Sequence, residues 1–145
     1  MQLDEFISIP NQRRVVNAIT EAERMTSGEI RVHLTPQCGD DVMSEAIKTF
    51  DRLEMYKTRH RNGILIYVAF ESRKFAILGD AGINSVVPKD YWDNEKEILL
   101  GFLKQGDPAT GLCTVIGNVG EKLKAYFPIE DDDKNELSNE ISYEE

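Results

Sequence analysis

Ile64-Leu65-Ile66-Tyr67-Val68-Ala69-Phe70 is apolar at every position, and this stretch decides the class of fold. A strand with one wet face alternates apolar and polar residues. A short unbroken run between turn signals is a central strand covered on both faces. Lys57-Thr58-Arg59-His60-Arg61-Asn62-Gly63 is a polar loop before it, and Glu71-Ser72-Arg73 is short enough for a hairpin turn after it. Residues 74–78 then form a strand antiparallel to the central one.

The reading extends outward from there. Over residues 29–35, Ile30, Val32 and Leu34 alternate with Arg31 and His33, giving a strand with one more polar face. Residues 36–41 turn the chain, and Asp40 or Asp41 can cap the helix that follows. That helix runs to about Met55 with Val42, Ala46, Ile47, Phe50 and Leu53 inward. A helix between two strands makes them parallel, with a right-handed crossover. Residues 11–26 form an earlier helix, with Val15, Ala18, Ile19, Ala22 and Met25 on one face, started by Ser8 and Pro10 and stopped by Gly28. Residues 79–84 read as a loop and 89–104 as a helix ended by Gly106. Asp107-Pro108 opens a last helix, with Leu112, Val115, Ile116, Val119 and Leu123 inward, which stops at Pro128. Gly111, Gly117 and Gly120 weaken that helix but allow close packing. Residues 5–9 are the candidate for a fourth, edge strand. The expected fold is α/β, a three-layer αβα sandwich around a mixed sheet of about four strands.

Composition narrows the function. The 145 residues fit one domain, and 41% apolar content supports a real core. The net charge is −9, which excludes a broad basic face for nucleic acid or anionic membrane. No apolar run is long enough to span a bilayer. The start, Met1-Gln2-Leu3-Asp4-Glu5, lacks the basic and apolar regions of a secretory leader, so a cytoplasmic location is expected. Residues 129–145 hold eight acids and one lysine, so they carry −7 and residues 1–128 carry −2. The expected organisation is a domain over 1–128 and an acidic C-terminal tail over 129–145. The tail is either solvated and without order, or clipped to the body by a short helix bearing Leu137 and Ile141. Cys38 and Cys113 sit in no CxxC pair and read as ordinary thiols.

Four motifs in series resemble a known family. They are Thr26-Ser27-Gly28-Glu29-Ile30-Arg31-Val32, Arg61-Asn62-Gly63-Ile64-Leu65-Ile66-Tyr67-Val68, Arg73-Lys74-Phe75-Ala76-Ile77 and Gly79-Asp80-Ala81-Gly82-Ile83. Their order over residues 8–128 resembles the TPM domain, named for a thylakoid lumen phosphatase-like protein, a photosystem II repair factor and an acetylcholine-receptor accessory protein. The resemblance implies an αβα sandwich, and it implies links to acid phosphatase activity and to divalent cations.

Topology says which side chains can meet. Parallel strands start at the same end of a sheet, and an antiparallel neighbour finishes there. Glu29, Arg61, Asn62, Asp80 and Asn84 therefore gather at one end, and Asp90 and Asp93 can join them through the loop after the third strand. Hard divalent cations take such carboxylate, amide and carbonyl oxygens. The candidate metal ligands are Asp80, then Asp93, Asp90, Glu29 and Asn62. The group contains no His or Cys, which favours Ca²⁺ or Mg²⁺ over zinc. A bound cation would pin the loop 57–63 against the loop 80–90 and order both.

Each residue also has a plainer use. Glu29 can pair with Arg31 or Arg61, Asp90 can cap a helix, and Asp80-Ala81-Gly82 can be a tight turn. Asp40 and Asp41 read as caps, His33 and His60 as surface residues, and Tyr91 and Trp92 as packing residues. Asp131–Asp133 does not open an EF-hand, since the loop lacks Gly at position six and Glu at position twelve. Three functions stay open. One is a Ca²⁺- or Mg²⁺-binding domain whose occupancy orders two loops in a regulatory role. Another is a metal-dependent acid phosphatase in which Arg61, Arg59 and His60 hold phosphate. The third is a metal-indifferent module that recruits an unidentified protein through its acidic tail.

Overall fold

The computed structural model describes residues 1–130 and 137–145. The unbroken apolar run becomes β2 (Gly63–Ala69), whose side chains are all buried. Its neighbours are β1 (Glu29–Thr35), parallel, with Glu29 beside Gly63 and Thr35 beside Ala69, and β3 (Lys74–Gly79), antiparallel, with Ile64 beside Gly79. Arg73 turns the hairpin with a φ of 56°.

Alternation along the strands divides the interior in two. Ile30, Val32, Leu34, Ile64, Ile66, Val68 and Ile77 face the larger core, under α2 (Ile9–Glu23), α5 (Tyr91–Lys104) and α6 (Pro108–Tyr126). Leu65, Tyr67, Ala69 and Ala76 face Ala46 and Phe50 of α3 (Val42–Arg52). Helices cover both faces of the sheet, so the three-layer αβα sandwich holds. The helix starts follow their caps. Ser8 Oγ, Asp41 Oδ1 and Asp107 Oδ1 accept from Asn11 N, Ser44 N and Thr110 N at 3.3, 3.1 and 3.2 Å. Gly120 lets α6 approach α2, because a Cβ there would lie 2.8 Å from Ala22 Cβ.

Three local expectations are corrected. Residues 5–9 are not an edge strand. Leu3–Phe6 is a helical turn, α1, with Gln2 and Glu5 forming a capping box. Leu3, Phe6 and Ile7 fall at helical spacing and reach the larger core, where Phe6 stacks on Phe70 at 4.9 Å. Residues 79–84 are not all loop, because Ala81–Asn84 forms a short helix, α4. The edge strand comes instead from the tail. β4 (Ser142–Tyr143) runs parallel to β1 and completes the order β3-β2-β1-β4. Leu137 and Ile141 share no helix: Leu137 packs into the smaller core and Ile141 into the larger. Strand alternation and a bend, not helical spacing, carry the chain from one side of the sheet to the other. Asp131–Asp133 lies outside the described residues.

Candidate functional site at the crossing loops

The sheet ends where β1 and β2 start and β3 finishes, and two loops cross there. Asp80 follows β3, and its N donates to Gly63 O at 2.9 Å, so the two loops leave the sheet side by side. Asp80 caps α4, with Oδ1 accepting from Ala81 N at 2.8 Å. The same carboxylate takes a two-pronged ion pair from Arg61, with Nε to Oδ2 at 2.7 Å and Nη2 to Oδ1 at 2.8 Å. The pair is lopsided in exposure: the Asp80 side chain is 7% exposed and the Arg61 side chain 53%. The Asp80 hydrogen bond and charge hold the Arg61 guanidinium pKa above its ordinary value.

Gly82 makes the crossing possible. Its N donates to Arg61 O at 2.8 Å. A Cβ at this position would lie 1.9 Å from His60 O and 2.7 Å from Arg61 O, distances only glycine avoids. The start of α5 is tied in as well. Trp92 Nε1 donates to Asn84 Oδ1 at 2.8 Å, and Asn84 Nδ2 donates to Gly79 O at 2.7 Å. Trp92 therefore has a hydrogen-bonding role beyond packing.

Glu29 and Asn62 are both buried where β1 and β2 start, and Glu29 N donates to Asn62 O at 3.4 Å. Asn62 is 1% exposed; its N donates to Thr58 Oγ1 at 3.2 Å and its Nδ2 to Ser27 Oγ at 3.3 Å. Its Oδ1 is buried and accepts from no described residue. Glu29 is 2% exposed, and its side chain is hydrogen-bonded to Glu23 at the end of α2. Glu23 Oε2 also accepts from Ile30 N at 2.7 Å. Burial first, and then the Glu29 charge and hydrogen bond, push Glu23 up to about 8 against the opposing Ile30 N–H. Glu23 thus keeps its proton at neutral pH, and Arg61 serves Asp80 rather than Glu29. Glu23 escaped the sequence reading because it stands on the helix side of the Thr26-Ser27-Gly28 turn, six residues before Glu29. A turn that folds back onto the first strand was the available signal.

Asp90 and Asp93 are exposed at the start of α5. Asp90 stands at the N-cap position but accepts no cap hydrogen bond. The five candidate ligands therefore fall into a buried carboxylate paired with a half-exposed guanidinium, a buried amide, a buried member of a carboxyl pair, and two exposed carboxylates. Among the described residues, no group of three or more His, Cys, Asp and Glu side chains converges to hold a metal ion. The candidate phosphate-holding residues are engaged elsewhere. Arg59 Nη1 donates to Glu130 Oε2 at 3.3 Å, and His60 Nε2 hydrogen-bonds Glu130 Oε1 at 3.1 Å.

His33 is a correction, since it is not a surface residue. It is 2% exposed, stacks on Tyr67 at 5.4 Å, and bonds through Nδ1 to Ser142 Oγ at 2.9 Å. Burial drives its pKa down to about 4. Cys38 and Cys113 are free thiols, as read from their spacing.

Residues 2–122 match the TPM domain. The chain belongs to the TPM domain family. It is similar to the BA42 protein of the psychrophilic bacterium Bizionia argentinensis, whose NMR structure it matches with a TM-score of 0.90 at 43% identity, over 99% of both chains. The N-terminal domain of the cg2496 protein from Corynebacterium glutamicum shares the fold alone, with a TM-score of 0.56 at 16% identity over 85% of this chain and 74% of that one. No curated protein matches significantly. In this TPM domain the Gly79-Asp80-Ala81-Gly82 motif builds the loop crossing, and Arg61-Asn62-Gly63 supplies its other half. Among the described residues, no helix is long and apolar enough to cross a membrane.

Proposed function

We propose that this TPM domain binds a divalent cation, Ca²⁺ or Mg²⁺, at the loop crossing, and that Asp80 exchanges the Arg61 guanidinium for the ion. The observation that carries the reading is the lopsided pair. The carboxylate is fixed and buried, whereas the guanidinium is half in water and free to leave. Arg61 thus serves as the built-in cation that holds the loops together when no ion is bound. Asn62 Oδ1, buried without a hydrogen bond, is a second hard oxygen at the same end of the sheet. Asp90 and Asp93 are exposed on α5 and complete the donor set by a shift of the loop before it. In this reading occupancy tunes loop order, which is a regulatory role. A metal-dependent phosphatase needs the same ion together with phosphate-binding cations, and Glu130 holds Arg59 and His60.

Calorimetric titration with Ca²⁺ and then Mg²⁺ tests the proposal. The full chain binds one of them saturably, and Asp80→Ala removes the binding. Unchanged affinity in Asp80→Ala rejects the site.

A further inference from the structure

The outer edge of β1 carries a polar group that neither the fold nor the crossing loops use. Arg31 stands on β1 between Glu29 and His33, on the face towards α3. Its Nε is buried, and its guanidinium forms no hydrogen bond or ion pair with any described residue. Two residues further on, His33 Nδ1 meets Ser142 Oγ at 2.9 Å. Arg52, at the end of α3, donates to Glu144 Oε2 at 2.6 Å. This edge therefore offers Arg31, His33 and Arg52 in a row, and the tail answers the last two with Ser142 and Glu144.

The row is only partly filled. β4 pairs His33 with Ser142 and Leu34 with Tyr143, and Glu144 N adds a bond to Leu34 O at 3.1 Å. Side chains alternate along a strand, so Ser142 and Glu144 face α3 while Ile141 packs into the larger core. Continued by two residues, the same register sets residue 140 opposite Arg31. That residue is a glutamate, but the chain bends away before reaching it. Glu140 N bonds to Ser138 Oγ at 3.1 Å, and Glu140 lines a groove with Gln12, Arg13 and Asn17 of α2. The occupant of the edge is thus two residues long, and its one ion pair is exposed on both sides, at 52% and 53%. Such a pair contributes little.

We propose that the outer edge of β1 docks an extended acidic peptide of a partner protein, added as a parallel strand in place of β4. Its side chains towards α3 alternate as acidic, small polar, acidic, to meet Arg31, His33 and Arg52 in turn. Its main chain takes over the β1 ladder, and its intervening apolar residues replace Ile141 over the larger core. The chain's own residues 142–144 compete for the site. The tail of a second copy brings the same Ser138 bend and gains nothing over the tail already in place. A peptide free of that bend also reaches Arg31.

The test is fluorescence anisotropy of labelled Ac-Glu-Val-Ser-Val-Glu-Glu-NH₂ against the full chain and its Glu144→Lys variant, with amide NMR to locate the peptide. The peptide is expected to shift amides of 31–35 and 52, and to bind Glu144→Lys about three- to tenfold more tightly than wild type. Binding to Glu144→Lys alone also supports the proposal, with the tail holding the site in the wild type. Arg31→Glu is expected to weaken binding by about tenfold or more. Should that variant lose its amide dispersion, Arg31→Gln takes its place, with a weaker effect in the same direction. A peptide with lysine at its first position should bind more weakly to every form of the protein. The proposal is overturned by no binding to either protein, by equal affinity for the lysine peptide, or by shifts confined to other residues.

Discussion

Two carboxyl centres stand at the same end of the sheet, and burial is met in opposite ways. At Asp80 the carboxylate is met by partners, since Arg61 forks onto it and Ala81 N–H caps it. Glu23 gives up its charge first because it is buried, and then because its neighbour is Glu29 and two close carboxylates cannot both ionise cheaply. The difference separates the centre that would admit the proposed cation from the one that would not. The Asp80 centre already holds a positive group that is half in water. The Glu23–Glu29 centre is closed by a proton until the pH rises far enough to remove it.

The comparison can be broken first at Gly82, on the Asp80 side. Gly82→Ala drives a methyl into His60 O and Arg61 O, at 1.9 and 2.7 Å, so the loops must separate. A loss of about 3 kcal/mol or more in urea unfolding is expected. A loss under about 1 kcal/mol would mean that the crossing is loose. Next in size is Asp80→Ala, which removes the α4 cap and two charge-assisted hydrogen bonds. About 2 kcal/mol should be lost. A double-mutant cycle with Arg61→Ala should return a coupling well below the loss from Asp80→Ala itself, because the guanidinium is 53% exposed.

Smaller effects sharpen the other half of the comparison through pH. Glu23 has its pKa raised from 4.5 to about 8. The folded state holds a proton that the unfolded state releases, so stability falls as pH rises from 4.5 towards 8. Glu23→Gln should flatten that slope in unfolding measured across the interval, and an unchanged slope would place the proton elsewhere. His33 gives the opposite sign. Its pKa is lowered from 6.5 to about 4, so the unfolded state takes up the proton first. Stability is lost as pH falls from 6.5 towards 4, and His33→Gln should remove that loss.

Much of this was legible in the sequence because short-range chemistry decides it. The run at 64–70 announced a central strand, the helical crossover fixed parallel pairing, and both facts put Glu29, Asn62 and Asp80 at one end. Asp41 and Asp107 capped as their positions implied. What was not legible depended on contacts distant in sequence. His33 looked like a surface residue because its cover is Ser142, over a hundred residues later. The tail looked like solvated acid because the contacts that anchor its described part, through Ile141, Leu137, a two-residue strand and ion pairs to Arg59 and Arg52, reach residues far off in sequence. At the site, the motif placed Asp80, Arg61 and Gly82 together, but not which cation the carboxylate would face. Arg61 sits in a backbone turn with φ of 51°, and its guanidinium lies against Asp80.

In the proposed site Arg61 and a divalent ion compete for one carboxylate. The most direct measurement is a Ca²⁺ titration followed by amide NMR, run in parallel on the wild type and Arg61→Ala. Saturable shifts are expected in residues 57–63 and 80–93 of both proteins, reached at lower Ca²⁺ concentration in Arg61→Ala. Equal or weaker affinity in Arg61→Ala would contradict that competition, as would shifts confined to residues 129–145.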